Sequence, residues 1–171
     1  FTRQDSLIIY AMDRMTHWRM MPEFSHLHAD FADLDKIFKL QGETITSERL
    51  SDLIRVNINN SDYYVKRYRF AGKGLRRFLG MSRIQSEWQN LLWFREQKIA
   101  TATVVAFGIE KTWGVFQRGA LITQAIPNSE DLASLARADD PRLSDAKWVN
   151  KISMQAAKML QKMHNKSFVH N

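Results

Sequence analysis

Residues 63–98 read YYVKRYRFAGKGLRRFLGMSRIQSEWQNLLWFREQK, and three textures follow one another inside them. Tyr63–Tyr68 is a run of aromatic, β-branched and basic residues that reads as a strand. Residues 66–83 then carry Lys66, Arg67, Arg69, Lys73, Arg76, Arg77 and Arg83 with no acid. Gly72, Gly74 and Gly80 make the middle of that segment loop-like. Ser82 opens a helix, in which Ile84, Trp88, Leu91 and Leu92 recur at i, i+4, i+7 and i+8 and form one apolar face. The stretch is therefore strand, basic connection, amphipathic helix.

The neighbours on either side extend this pattern. Period-two alternation before Tyr63 predicts strands over Glu43–Ser47 and Leu53–Ile58, joined through the polar run Glu48–Asp52. Asn59-Asn60-Ser61-Asp62 is a tight hairpin turn, because Asn and Asp tolerate positive φ. Connections this short make these strands antiparallel. After the helix come two more strands, Thr103–Ile109 and Ala120–Ile126, separated by a turn-rich linker. Pro127-Asn128-Ser129 breaks the pattern and Glu130–Ala138 reads as a short helix. Ser144 is the expected N-cap of a long helix running to about Lys166, with Trp148, Ile152, Ala156, Met159, Leu160 and Met163 as its buried face. Upstream, Asp33–Phe38 reads as a helical turn and Leu7–Met15 as a short helix. Strands gathered in one segment and helices in another mean an α+β fold and not a doubly wound parallel sheet.

Composition narrows the function classes. The chain has 171 residues, 44% of them hydrophobic and 25% charged, as expected of one soluble domain or one lobe of a two-lobed protein. It has no cysteine, which excludes thiol catalysis, disulfide scaffolding and cysteine-based zinc sites. His17, His26 and His28 show no metal-ligand spacing, so no metal site is expected within this chain. No apolar run reaches the ~18–20 residues of a membrane-spanning helix, and the chain is expected to be cytoplasmic. It begins at Phe1 and stops at Asn171, and reads as a piece of a longer protein. Of the 25 Lys and Arg residues, seven lie in 66–83, and the others balance the 18 acids; the net +7 thus belongs to one segment. Something local and anionic is its natural partner.

Three places carry chemistry. Lys66, near the end of an antiparallel strand, projects from the sheet as an oriented point charge of the kind phosphoryl transfer requires. Its bland reading is a solvated edge lysine. Glu87 borders the apolar face of its helix and needs a partner, since an unpaired buried charge is costly. That partner is either Arg83, four residues back in an exposed helical pair, or Lys66 across the fold. The C-terminus, LQKMHNKSFVHN, ends a helix at Met163-His164 and continues through Phe168-Val169 to His170. It reads either as a frayed tail or as the approach to a catalytic loop of the pattern H-x-D-x-x-x-x-N.

Taken together, Tyr63-Tyr64-Val65-Lys66, Ser86–Leu92, VVAFG at 104–108, LITQA at 121–125 and the ending M-H-x-x-x-F-V-H-N resemble the N-terminal lobe and first C-lobe helix of a protein-kinase-like fold. Within it they are most similar to the bacterial lipopolysaccharide core kinases of the Kdo/heptose, WaaP/InaA type. The resemblance spans about Gly42–Asn171. It implies a five-stranded antiparallel sheet plus one helix, followed by the first helices of a truncated C-lobe. In domain terms this is an N-terminal extension over 1–38, a kinase-like lobe over 39–126, and a hinge exit with an incomplete helical lobe over 127–171. Carried across, Lys66 is the lysine that grips ATP phosphates and Glu87 its helix partner. Thr123 is the gatekeeper, Gln124, Ala125 and Ile126 are the adenine-binding hinge, and His170 orders the catalytic loop. The phosphate-covering loop falls near Ser47–Ser51, where Ser47, Arg49 and Ser51 side chains stand in for the glycines of G-x-G-x-x-G. Tyr64 replaces the small residue usual above adenine. The implied cofactors are ATP and Mg²⁺, with an inner-core sugar hydroxyl of lipopolysaccharide as acceptor at the inner membrane of a Gram-negative bacterium. The catalytic Asp of the pattern would follow Asn171, so the chain as it stands is expected to be inactive.

The acid-free segment is expected to serve this acceptor. Lys73, Arg76, Arg77 and Arg83 would hold a phosphate-bearing, anionic acceptor or the acidic membrane surface, while Lys66 alone faces ATP. Two other classes compete. One is a basic module binding nucleic acid or anionic lipid through 66–83, with Tyr68, Phe70 and Phe78 as stacking platforms; no nucleic-acid motif accompanies it, and nucleic acid is not the expected partner. The other is a pseudokinase, which the glycine-poor loop favours.

Overall fold

A computed structural model describes residues 14–69, 82–166 and Phe168. The chain divides into two compact units, one running to Arg95 and resuming over Thr101–Ala125, the other made of Glu96–Ala100 and the residues from Ile126 onward.

The first unit is built on an antiparallel sheet. Its strands are β1 (Arg14–Met20), β2 (Glu43–Ser47), β3 (Ser51–Ile58), β4 (Ser61–Tyr68), β5 (Thr103–Thr112) and β6 (Val115–Gln124). They lie in the order β1-β5-β6-β4-β3-β2. The five expected strands are present, and β1 adds a sixth at the β5 edge. Period-two reading missed β1 because its face alternation mixes Met15, His17 and Arg19 with Thr16 and Trp18, which is not a clean polar–apolar pattern. What lets β1 dock is Gly108: a Cβ there would lie 2.1 Å from the His17 carbonyl oxygen. Two tight turns set the register. Asn59 and Asn60 both adopt positive φ (51° and 61°), the geometry of a two-residue hairpin between β3 and β4. Trp113 and Gly114 do the same between β5 and β6, so the supposed linker is largely strand.

Both faces of this sheet are covered. Helix α2 (Arg83–Glu96) lays Ile84 and Trp88 against Val104, Phe107, Ile109 and Leu121 on one face. The opposite face, with Ile54, Val65, Ala106 and Ile122, packs on Phe24, Leu27, Phe31, Leu34 and Ile37. Those residues come from a 3-10 turn (Pro22–Leu27) and from α1 (Leu34–Lys39), capped by the Asp33 carboxylate accepting from the Lys36 amide at 2.8 Å. The stretch read as an N-terminal extension thus contributes core residues to the same unit as the sheet. No helix among the described residues is long and apolar enough to cross a membrane.

The second unit holds α3 (Leu132–Arg137), a 3-10 turn (Pro141–Ser144) and α4 (Ala146–His164). The N-cap of α4 is Asp145, whose carboxylate accepts from the Lys147 amide at 2.9 Å, and not the expected Ser144, which closes the preceding turn. The expected buried face of α4 is also corrected. Met163 is buried, Trp148 and Ile152 are half-buried, and Ala156, Met159 and Leu160 are exposed. Among the described residues of this unit no apolar layer covers that stripe.

Candidate active site

The site begins with alternation along β4. Tyr63, Val65 and Arg67 are buried, and Tyr63 and Val65 join the core beneath α1; Tyr64, Lys66 and Tyr68 point to the face that carries α2. Register then assembles rows across the sheet. Lys66 stands between Leu53 of β3 and Leu121 of β6, and Tyr64 stands opposite Thr123. Above them α2 brings Glu87 one turn after Ile84. The resulting cleft, about 320 Å³, is lined by Leu53, Tyr64, Lys66, Glu87, Leu91, Ala102, Leu121 and Thr123.

Its polar centre is an ion pair. Lys66 Nζ donates to both Glu87 oxygens, at 2.9 Å each, and both side chains are about one-third exposed (31% and 32%). Of the two partners open to Glu87, the fold selects Lys66; Arg83 is exposed at the start of α2. The Tyr68 hydroxyl donates to Glu87 Oε2, and Lys66 Nζ lies 5.3 Å from the centre of the Tyr68 ring. Burial, and then the hydrogen bond to Glu87, push the Tyr68 phenol well above its usual pKa, so it stays a donor. Sequence reading saw Tyr68 only as an aromatic in a basic run. Its signal was the i, i+2, i+4 spacing with Tyr64 and Lys66 on one strand face.

The comparisons with known proteins fit this geometry. The sequence model of the lipopolysaccharide kinase (Kdo/WaaP) family matches residues 35–171. The chain belongs to the lipopolysaccharide kinase (Kdo/WaaP) family. A solved structure described as WaaP in complex with acyl carrier protein superposes with a TM-score of 0.54 at 19% identity, covering 75% of this chain and 48% of that one. The likeness shows a shared kinase-like fold, and the chain spans about half the length of that protein. No curated protein matches the chain.

Within this family member the expected site residues fall into four groups. Lys66, Glu87 and Thr123 meet at the cleft. Ser47, Arg49 and Ser51 lie at the short connection from β2 to β3, where the Glu48 amide donates to the Ser51 carbonyl at 2.8 Å; none of the three lines the cleft. Gln124 ends β6, while Ile126 is exposed in the second unit. The Ala125 amide is donated to the Asp62 carbonyl at 2.9 Å, so a ligand contact through that N–H would compete with an existing bond. Lys73, Arg76, Arg77 and His170 lie outside the described residues. The cations at the start of the basic segment are not free. Arg67 is buried on Asp52, donating from Nε at 2.7 Å, and Arg69 pairs with the same carboxylate at 3.0 Å. With Lys66 on Glu87, three of the seven cations are paired inside the fold, two of them sharing one carboxylate.

Leu53, Leu91, Ala102 and Leu121 supply the apolar walls; of these only Leu91 was singled out in the sequence, as part of the apolar face of its helix. This donor set suits the phosphate and flat apolar parts of a nucleotide. For Mg²⁺ the fit fails among the described residues: no group of three potential metal ligands occurs there, and the carboxylate in the cleft is already bound to Lys66.

Proposed function

We propose that this chain carries the nucleotide-binding part of an ATP-dependent kinase that phosphorylates a sugar hydroxyl of the lipopolysaccharide inner core. The supporting observation is Lys66 Nζ, held at 2.9 Å by both Glu87 oxygens inside a cleft with apolar walls. A fixed ammonium in a partly dry site meets the oxygens of a phosphoryl group at little reorganisation cost. Glu87 keeps the charge in place; Leu53, Leu91 and Leu121 exclude water from one side of the base. Tyr64 narrows the cleft beside Thr123, which favours a shallower seat for adenine than a small residue would allow. Backbone groups of Gln124, Ala125 and Ile126 are proposed to meet the adenine edge, and Ser47, Arg49 and Ser51 to approach the phosphates. Since the described residues do not gather a metal site, no step is assigned to Mg²⁺, which a kinase of this kind would use with its nucleotide.

The acceptor side rests on charge. Arg83 is exposed at the first residue of α2, and with Lys73, Arg76 and Arg77 it is proposed to bind the phosphate-bearing core or the anionic surface of the inner membrane at its cytoplasmic face. The test is transfer of labelled phosphate from ATP to purified inner-core oligosaccharide by the full-length protein. Label should appear in the sugar, and neutralising those four cations should cut transfer about tenfold or more while ATP affinity stays within about twofold. Absence of any label in the sugar contradicts the acceptor; equal loss of transfer and ATP affinity contradicts the division of the charges.

A further inference from the structure

Tyr68 does more in this site than an aromatic at the end of a strand requires. Its ring is buried (3% exposed) with Ile84, Trp88 and Leu121, and its hydroxyl is aimed at the one carboxylate in the cleft. Glu87 Oε2 therefore accepts from two donors, Tyr68 and Lys66, while Oε1 accepts from Lys66. A carboxylate on a helix can rotate about its last side-chain bonds, and a lone lysine would let it do so. A second donor, two residues further along the same strand face, removes that freedom. The residue opposite Tyr68 in β6 is Gly119, where a Cβ would lie 2.8 Å from the Gly108 carbonyl oxygen and 3.3 Å from Ile84 Cδ1. The sheet is thus bare where the first turn of α2 comes down on it, next to the Tyr68 ring and one turn before Glu87.

We propose that Tyr68 is a positioning residue for the lysine of this site: its hydroxyl pins Glu87 so that both carboxylate oxygens stay on the Lys66 ammonium, which then faces the nucleotide phosphates. The inference rests on the reading of Lys66 as an ATP anchor for its consequence in binding, but not for the contact itself. The raised pKa of the phenol supports it, since the hydroxyl keeps its proton throughout the working range.

Two measurements on Tyr68→Phe, which keeps the ring and removes the hydroxyl, test it. In nucleotide-free protein, acetylation of Lys66 by an amine-reactive reagent, followed by mass spectrometry, should speed up about threefold or more, with the other lysines unchanged. In equilibrium binding, affinity for ATP should fall about three- to tenfold while affinity for adenosine holds. In a Glu87→Ala background, Tyr68→Phe should change neither quantity further. Unchanged Lys66 labelling overturns the proposal; so does faster labelling of all lysines, or equal loss of ATP and adenosine, either of which marks a merely structural tyrosine. If the unsubstituted protein binds no ATP, the kinase reading falls, and the labelling arm still decides the role of Tyr68.

Discussion

At the scale of single residues, position on a strand face decides which charges face the cleft and which are buried within the fold. Lys66 and Arg67 are adjacent, yet one faces the cleft and the other is buried on Asp52. The alternation of Tyr63–Tyr68 carries that division, although in the sequence Arg67 counts with Lys66 in one basic segment. The partner choice of Glu87 was not legible, because Arg83 and Lys66 are equally reachable until the packing of α2 is known. Glu110 shows the same logic on the other side of the sheet. Its carboxylate accepts from Arg14 at 2.7 Å and from Arg118 Nε at 2.9 Å. Burial alone would raise its pKa, but these two guanidiniums outweigh burial and lower it. A depressed carboxylate contributes stability that is present above its unfolded pKa and is lost as pH falls through the folded one. The melting temperature should therefore be flat from about pH 7 to 5 and fall below that, as the carboxylates protonate. Glu110→Gln should start lower and fall less steeply; a parallel curve would show that Glu110 carries no such linkage.

At the scale of elements, α1 is tied to the sheet through one side chain. The Arg67 guanidinium reaches past Asp52 to the carbonyls of Ile37 (3.3 Å) and Leu40 (3.0 Å), in the last turn of α1 and at its C-cap. Asp52 is itself 5% exposed. Removing the cation strands a buried carboxylate with only the half-exposed Arg69 as partner. Arg67→Met should cost about 3 kcal/mol of unfolding free energy, the lower end for a broken buried pair. Urea unfolding reads this directly, and a loss below about 1 kcal/mol would show that Arg69 suffices. None of this was visible in the sequence, where residues 1–38 read as an N-terminal extension and Arg67 counted toward a basic segment. The strands and α2 were legible because alternation and 3.6-residue spacing are local signals. β1 was not, because it depends on Gly108 accepting a neighbour 90 residues away, and neither was the α4 stripe, since burial there depends on what lies over it.

At the scale of the whole molecule, the basic segment divides. Lys66 pairs with Glu87, and Arg67 and Arg69 share Asp52; the segment's other four cations, Lys73, Arg76, Arg77 and Arg83, are those proposed to face an acceptor. Of the segment's first four residues, Lys66 faces the cleft and Arg67 is buried on the opposite side of β4. The central claim is that Lys66 is the phosphate anchor. Titration of the protein with ATP and with adenosine, before and after Lys66→Ala, tests it most directly. The account predicts that ATP affinity falls about 10- to 100-fold, as expected for loss of a charge-assisted contact, while adenosine affinity is retained. ATP binding that survives the substitution unchanged would contradict it.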